Sequence, residues 1–215
     1  MKSPLQAFNF SGLSVQGIDF WRGDRQVLAS VSLEAAAGDC VHVIGPNGSG
    51  KTTLLRIIAG LLTPEEGKVG WSGQDTRTSR DEFAAASAYL AHSDGLKPEF
   101  TATENLSFDA GLRRRVADEE IADSLSQVGL SHARDQIAAT MSAGQRRRLA
   151  MARVLLAQVP LWILDEPYTN LDTGGAALVA AVVGRHLDAG GAVVMAAHQP
   201  PPIPHHVPRR LELPS

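Results

Sequence analysis

The sequence predicts an α/β domain built on a parallel sheet, and three observations predict it. Short apolar runs without polar alternation, at residues 40–44, 161–164 and 192–196, suit strands buried on both faces. Segments with helical spacing separate those runs, as a parallel sheet requires. A glycine-rich turn from Gly45 to Gly50 follows directly on the first run and leads into a helical pattern.

Taken in order, residues 15–20 and 27–33 read as strands joined by the polar turn Arg22-Gly23-Asp24. Residues 40–44 form the first buried strand. The helix after the turn spans about 51–62 and carries Leu54, Leu55, Ile57, Ile58 and Leu61 at helical spacing. Thr63-Pro64-Glu65-Glu66-Gly67 ends it, and a short strand at 68–71 is closed by Gly73. The middle, roughly 101–157, reads as mostly helical; Ile121, Leu125 and Val128 lie on one helical face. A second buried strand at 161–164, a helix at 176–187 and a third buried strand at 192–196 follow. Residues 200–208 hold five prolines in nine positions, which excludes a helix.

The chain has 215 residues, 44% of them hydrophobic, enough for one sizeable core. A net charge of −3 argues against a general nucleic-acid binder, which carries a strongly basic face. The single cysteine, Cys40, permits no internal disulfide and reads as a buried core residue in a reducing compartment. Residues 1–10 carry one lysine and no sustained apolar run, unlike a signal peptide. No stretch reaches the roughly 18 apolar residues that cross a bilayer, so a soluble, cytoplasmic chain is expected.

The sharpest motif is Gly45-Pro46-Asn47-Gly48-Ser49-Gly50-Lys51-Thr52-Thr53, which matches G-x-x-x-x-G-K-[ST]. Glycines let the backbone approach phosphate with no Cβ in the way. The loop N–H groups and the helix N-terminus then face negative charge. Lys51 would reach the β- and γ-phosphates of ATP, and the Thr52 hydroxyl would hold Mg²⁺. A second motif ends the strand at 161–164 in Asp165-Glu166. Ligands gather at the carboxyl ends of parallel strands, so both motifs open onto one sheet edge. Asp165 suits Mg²⁺, directly or through water, and Glu166 suits a base that accepts a proton from attacking water or orients it.

The segment Met141-Ser142-Ala143-Gly144-Gln145 reads locally as a helix cap, with Ser142 and Gln145 spaced for a reciprocal capping box. The arginines that follow, Arg146, Arg147 and Arg148, read as a solvated helix face. At this segment the chain resembles the ABC ATPase family, whose signature usually begins Leu-Ser-Gly-Gly-Gln; here Met141 and Ala143 depart from it. The resemblance covers nearly the whole chain, with the motifs in the family's order.

The resemblance implies a P-loop NTPase (RecA-like) core with a parallel sheet, an N-terminal antiparallel β subdomain and an inserted helical subdomain at roughly 93–150, all in one domain over 1–215. It implies that two copies sandwich ATP head to tail, with Ser142, Gly144 and Gln145 of one copy meeting the γ-phosphate held by the other. Asp172, in Thr169-Asn170-Leu171-Asp172, falls in the loop that crosses to the second copy. His198 resembles the switch histidine at the γ-phosphate. Trp21 stands where the family stacks an aromatic ring on adenine, and spacing does not separate it from Phe20. His92 replaces the usual Gln after the run Ala88-Tyr89-Leu90-Ala91, a residue that in the family approaches Mg²⁺ and the attacking water. A neutral imidazole could accept a hydrogen bond from that water, but it titrates near neutrality.

A narrower resemblance is to the haem exporter ATP-binding subunits of bacterial cytochrome c maturation. It rests on Trp71-Ser72-Gly73-Gln74, on residues 96–106, on Met141 through Arg148, on residues 161–169 and on His198-Gln199-Pro200. It implies integral membrane partners, a peripheral place on the cytoplasmic face of the bacterial inner membrane, and no direct haem ligation by this chain, His205 and His206 included. Two other readings stay open, an ATPase subunit of a different ABC importer or exporter and a non-transport ABC ATPase. Against the second, residues 53–141 show no sustained heptads, and the chain carries one set of motifs.

Overall fold

The computed structural model describes residue 8 and residues 10–214. The expectation that residues 1–10 are not a leader lies mostly outside them.

The N-terminal strands β1 (Leu13–Arg22) and β2 (Arg25–Ala35) form a hairpin turning at Gly23-Asp24. With β4 (Glu66–Trp71) and β5 (Gln74–Asp75) they make an antiparallel sheet in the order β2-β1-β4-β5. A second sheet joins β3 (Cys40–Ile44), β6 (Ser87–Leu90), β7 (Leu161–Asp165), β8 (Ala192–Ala196) and β9 (Arg209–Glu212). Its order is β6-β7-β8-β3-β9, and every pair is parallel. The expected parallel sheet and antiparallel β part are therefore both present.

Side chains alternate across a strand, and here the two faces of the parallel sheet build two cores. One face presents Val41, Val43, Leu161, Ile163 and Val194 to α1 (Lys51–Ile58) and the antiparallel sheet. The other presents Cys40, Trp162, Leu164, Val193 and Met195 to α3 (Ala102–Gly111), α4 (Asp118–Gln127), α5 (Ala143–Leu156) and α6 (Thr173–Asp188). Each fully buried leucine, isoleucine or valine contributes about 1.5–3 kcal/mol, which makes the central strands β7 and β8, buried at every position, the fixed frame of the molecule.

Three elements depart from expectation. Helix α1 stops at Ile58, four residues short of position 62, because Gly60 takes φ +73° and turns the chain. Leu61, placed on the apolar face by spacing, is 60% exposed. The short α2 (Arg80–Ala86) and the edge strand β9 carry no apolar period to announce them. Residues 200–208 form no helix, as five prolines dictate. No described helix is long and apolar enough to cross a membrane.

Candidate active site

Strands β7, β8 and β3 lie side by side and end together, so the segments after them share one edge of the sheet. The glycine-rich loop follows β3. Gly50 caps α1 in the left-handed region, φ 96°, and no side chain caps the first turn. The donors of that turn are thus left for a ligand. Pro46, Asn47 and Gly48 form the exposed crest, whereas Ser49 and Thr53 are buried beneath it. The Ser49 hydroxyl is buried with no hydrogen-bond partner. Lys51 folds back over the loop, its Nζ donating to the carbonyls of Gly45 at 2.7 Å and Pro46 at 2.9 Å.

The loop touches the carboxylate edge at one point. Thr52 Oγ1 donates to Asp165 Oδ1 at 3.2 Å. Asp165 is 1% exposed, and its other oxygen, Oδ2, has no partner. A buried carboxylate oxygen left unpaired is costly, and beside a threonine hydroxyl it suits a hard cation that binds oxygen. Tyr89 lies near; burial, and then the Asp165 charge, push its phenol pKa up, so the hydroxyl stays protonated.

Glu166 adopts φ +53°, unusual for a residue with a Cβ. Its N–H donates to the Ala196 carbonyl at the end of β8, at 2.8 Å. That turn puts the carboxylate, mostly buried, 3.8 Å from the more exposed His198 Nε2. The expected set of Lys51, Thr52, Asp165, Glu166 and His198 is thus gathered at one edge.

The remaining expected residues outside the loop make other contacts. Ser142 and Gln145 form the capping box: Gln145 N donates to Ser142 Oγ at 3.1 Å, and Ser142 N donates to Gln145 Oε1 at 2.9 Å. Gly144 allows close approach, since a Cβ there would lie 2.8 Å from the Asn170 carbonyl. Asp172 caps α6, accepting from Gly175 N at 2.7 Å. His92 is exposed. Of the two aromatic candidates, Phe20 packs on the core and Trp21 is 44% exposed.

One reading is overturned. The arginine triplet is not uniformly a solvated face: Arg147 is buried, while Arg146 and Arg148 are half-buried. Arg147 is 1% exposed, Arg146 Nη1 donates to the Met141 carbonyl, and Arg148 Nη1 donates to the carbonyls of Val128 and Gly129. Composition places arginine outside by default; convergent carbonyls place Arg147 inside.

The ABC transporter family profile matches residues 28–169. The chain is 44% identical over 187 residues to the cytochrome c biogenesis ATP-binding export protein CcmA of Methylococcus capsulatus, covering 86% of this chain and 90% of that one. It is 40% identical over 194 residues to the protein of the same name from Haemophilus influenzae, covering 90% and 92%. Among solved structures, a dimeric ATP-binding cassette in a post-hydrolysis state with ADP and phosphate superposes with a TM-score of 0.79 at 25% identity, covering 87% of this chain and 88% of that one. An ATP-binding subunit of an ABC transporter gives the same TM-score at 23% identity and shares the fold. With the motifs in order at one sheet edge, the chain belongs to the ABC transporter family of ATP-binding proteins.

Proposed function

We propose that this chain is the ATP-hydrolysing subunit of an ABC export system of the cytochrome c biogenesis type. The observation that carries the reading is the Thr52–Asp165 contact, which joins the phosphate loop to the carboxylate edge. The 38–44% identity to ATP-binding export proteins of cytochrome c biogenesis supports the export assignment.

In this reading the loop from Gly45 to Thr53 cradles the phosphates of ATP, and Trp21 stacks on adenine. Lys51 exchanges its two carbonyl contacts for phosphate oxygens. Thr52 and Asp165 would hold Mg²⁺, which would supply neutralisation of phosphate charge. Water attacks the γ-phosphorus in line, the bond from that phosphorus to the bridging oxygen breaks, and ADP leaves with the electron pair. Glu166 accepts the proton of the water, and His198 donates toward the γ-phosphate oxygens from the far side of the carboxylate. His92 extends from the segment after β6 as the replacement for the family's Gln. A second copy closes the site, bringing Ser142, Gly144 and Gln145 to the γ-phosphate and placing Asp172 at the crossing. The Ser142 hydroxyl accepts within its own cap, so its proton stays available to donate. Loss of the γ-phosphate releases the pair.

The unit spans 1–215 with a helical insertion at roughly 93–150, and integral membrane subunits dock beside that insertion. The chain sits peripherally on the cytoplasmic face of the bacterial inner membrane. Haem stays with the partners: the His206 ring is engaged by Asp188 at 2.9 Å, and this chain supplies no haem ligand.

A tagged Glu166→Gln chain tests both halves. It is expected to bind ATP like the wild type and to hydrolyse it at least about 100-fold more slowly. Pulled from detergent-solubilised native membranes, it is expected to bring the membrane subunits of cytochrome c maturation. Wild-type hydrolysis by this variant would remove Glu166 from its role; recovery of a different permease would overturn the export assignment and leave the ATPase reading standing.

A further inference from the structure

Among the described residues, Arg147 makes the most side-chain hydrogen bonds. It projects from α5 and reaches two separate stretches of main chain. On one side, Nη2 donates to the carbonyls of Asp165 and, at 2.8 Å, Glu166, while Nε donates to Glu166 at 3.2 Å. On the other side, Nη1 donates to the Ala91 carbonyl at 2.9 Å, reaches the His92 carbonyl at 3.5 Å and pairs with Asp94 Oδ1 at 3.2 Å. All three guanidinium nitrogens are committed.

A buried guanidinium is costly to desolvate, and an apolar residue of similar volume would often serve stability as well. What the apolar residue could not do is hold carbonyls from two directions at once. The carbonyls it holds include those of the metal-site carboxylate and of Glu166. Glu166 sits at φ +53°, a conformation that persists only where surroundings over-determine it. Its N–H is tied to Ala196 and its carbonyl to Arg147, so the residue is clamped on both sides of its Cα. That clamp fixes the direction in which the side chain leaves the backbone.

We propose that Arg147 is the positioning residue for hydrolysis: one guanidinium sets the Glu166 backbone and, on its other edge, the segment carrying His92, so both are referred to α5. Helix α5 also carries the Ser142 cap at its N-terminus, one and a half turns away on the same rigid body. Whatever displaces that helix from the sheet moves the guanidinium and releases the Glu166 backbone, while Arg147 is joined to the phosphate loop at one remove, through Asp165 and Thr52. The inference rests on Glu166 as the base, and it concerns turnover, not ATP binding.

The test is steady-state ATP hydrolysis by the full chain, with ATP affinity and melting temperature read beside it. Arg147→Gln is expected to lower kcat between about 10- and 100-fold and to change KM for ATP by no more than about twofold. Arg147→Lys, which keeps the charge but cannot fork, is expected to fall between wild type and Arg147→Gln. Arg148→Gln is the control, since Arg148 also leaves α5 to bond two carbonyls but bonds Val128 and Gly129, away from the edge. It is expected to keep kcat within about twofold. Equal losses in the Arg147 and Arg148 variants, or a loss carried by KM, would overturn the proposal. If Arg147→Gln does not fold, Arg147→Lys alone decides: wild-type kcat overturns the proposal, and a lowered kcat at unchanged KM supports it. A Glu166→Gln chain at wild-type turnover sinks the base assignment itself; a stalled Glu166→Gln with unaffected Arg147 variants sinks only this inference.

Discussion

The two halves of the active edge are held by different means. Behind β3, β7 and β8 the main chain does the holding. Each of these strands pairs on both sides, Glu166 N donates to Ala196, and Leu213 N donates to Ile44. Behind β6, the edge strand of the sheet, the chain has no such frame. Residues 91–97 are pinned by side chains instead: Arg147 at Ala91 and His92, Arg153 at Asp94 and Gly95, and Asn105 at Lys97. Residues 98–101 add main-chain bonds, Ala138 N to the Phe100 carbonyl and Ala139 N to the Pro98 carbonyl, to the contacts of Asn105 with Phe100 and Thr101. Ladder geometry survives most substitutions because every residue contributes alike. Geometry held by three side chains fails at single positions, and it can shift as a unit.

The largest expected effect breaks function in the first half without disturbing its frame. Lys51→Ala removes an ammonium whose only hydrogen bonds are to two loop carbonyls near the surface. Loss of charge-assisted contacts to phosphate is worth on the order of 3 kcal/mol, or about 100-fold in ATP affinity. Titration calorimetry should read that loss, and a thermal melt without nucleotide should move by no more than roughly 2 °C. Undiminished affinity would mean that the loop does not cradle the phosphates.

A second effect probes the opposite end of the same frame. His186 on α6 is 6% exposed and stacks on Trp162 of β7, ring centroids 3.8 Å apart and 6° from parallel. Burial lowers its pKa from 6.5 to about 4. The folded protein therefore resists protonation while the unfolded chain accepts it below pH 6.5. Stability is full above that value and falls as pH drops toward 4, by roughly 3 kcal/mol for this group. His186→Phe keeps a flat ring against Trp162 and removes the titration. Between pH 6.5 and 4 its unfolding free energy should decline less steeply than the wild type's; parallel declines would remove His186 as a source of the acid sensitivity.

How far the sequence could be read follows the same division. Buried parallel strands announce themselves, because Val41, Ile163 and Val194 face one core and Trp162, Val193 and Met195 the other, leaving no polar alternation. The loop and the Asp165-Glu166 pair are legible because phosphate and metal chemistry demand those residue types in a fixed order. What escaped was whatever depends on the partner of a side chain. Arg147 looks like its neighbours in sequence, and only the carbonyls converging on it make it interior. Strand β9 reads Arg-Arg-Leu-Glu, a polar edge with no period. Asp172 reads as a loop residue pointing to a second copy, and in the single chain it is also the cap of α6. The φ of Glu166 is not read from the sequence, since Ala196 and Arg147, both distant in the chain, hold it together with the local turn that Thr169 N closes on the Glu166 carbonyl.

The smallest expected effect separates the two halves most cleanly. Asn105 lies in α3, 4% exposed, and spends its whole amide on the strap. Its Oδ1 accepts from Lys97 N at 2.8 Å, and its Nδ2 donates to the carbonyls of Lys97, Phe100 and Thr101 at 3.0, 3.2 and 3.0 Å. Asn105→Ala leaves Lys97 N to find water and takes one of two donors from each of the three carbonyls, which keep their backbone partners, at a cost of about 2 kcal/mol. That cost falls locally, because α3 keeps its own Thr101–Glu104 capping box and its packing through Leu106. Amide hydrogen exchange should therefore quicken across residues 95–106, roughly 30-fold for that free energy, while amides of β3, β7 and β8 keep wild-type protection. Quickening that spreads evenly into the central strands would show that strap and sheet open as one unit, and the distinction between a main-chain frame and a side-chain strap would fall with it.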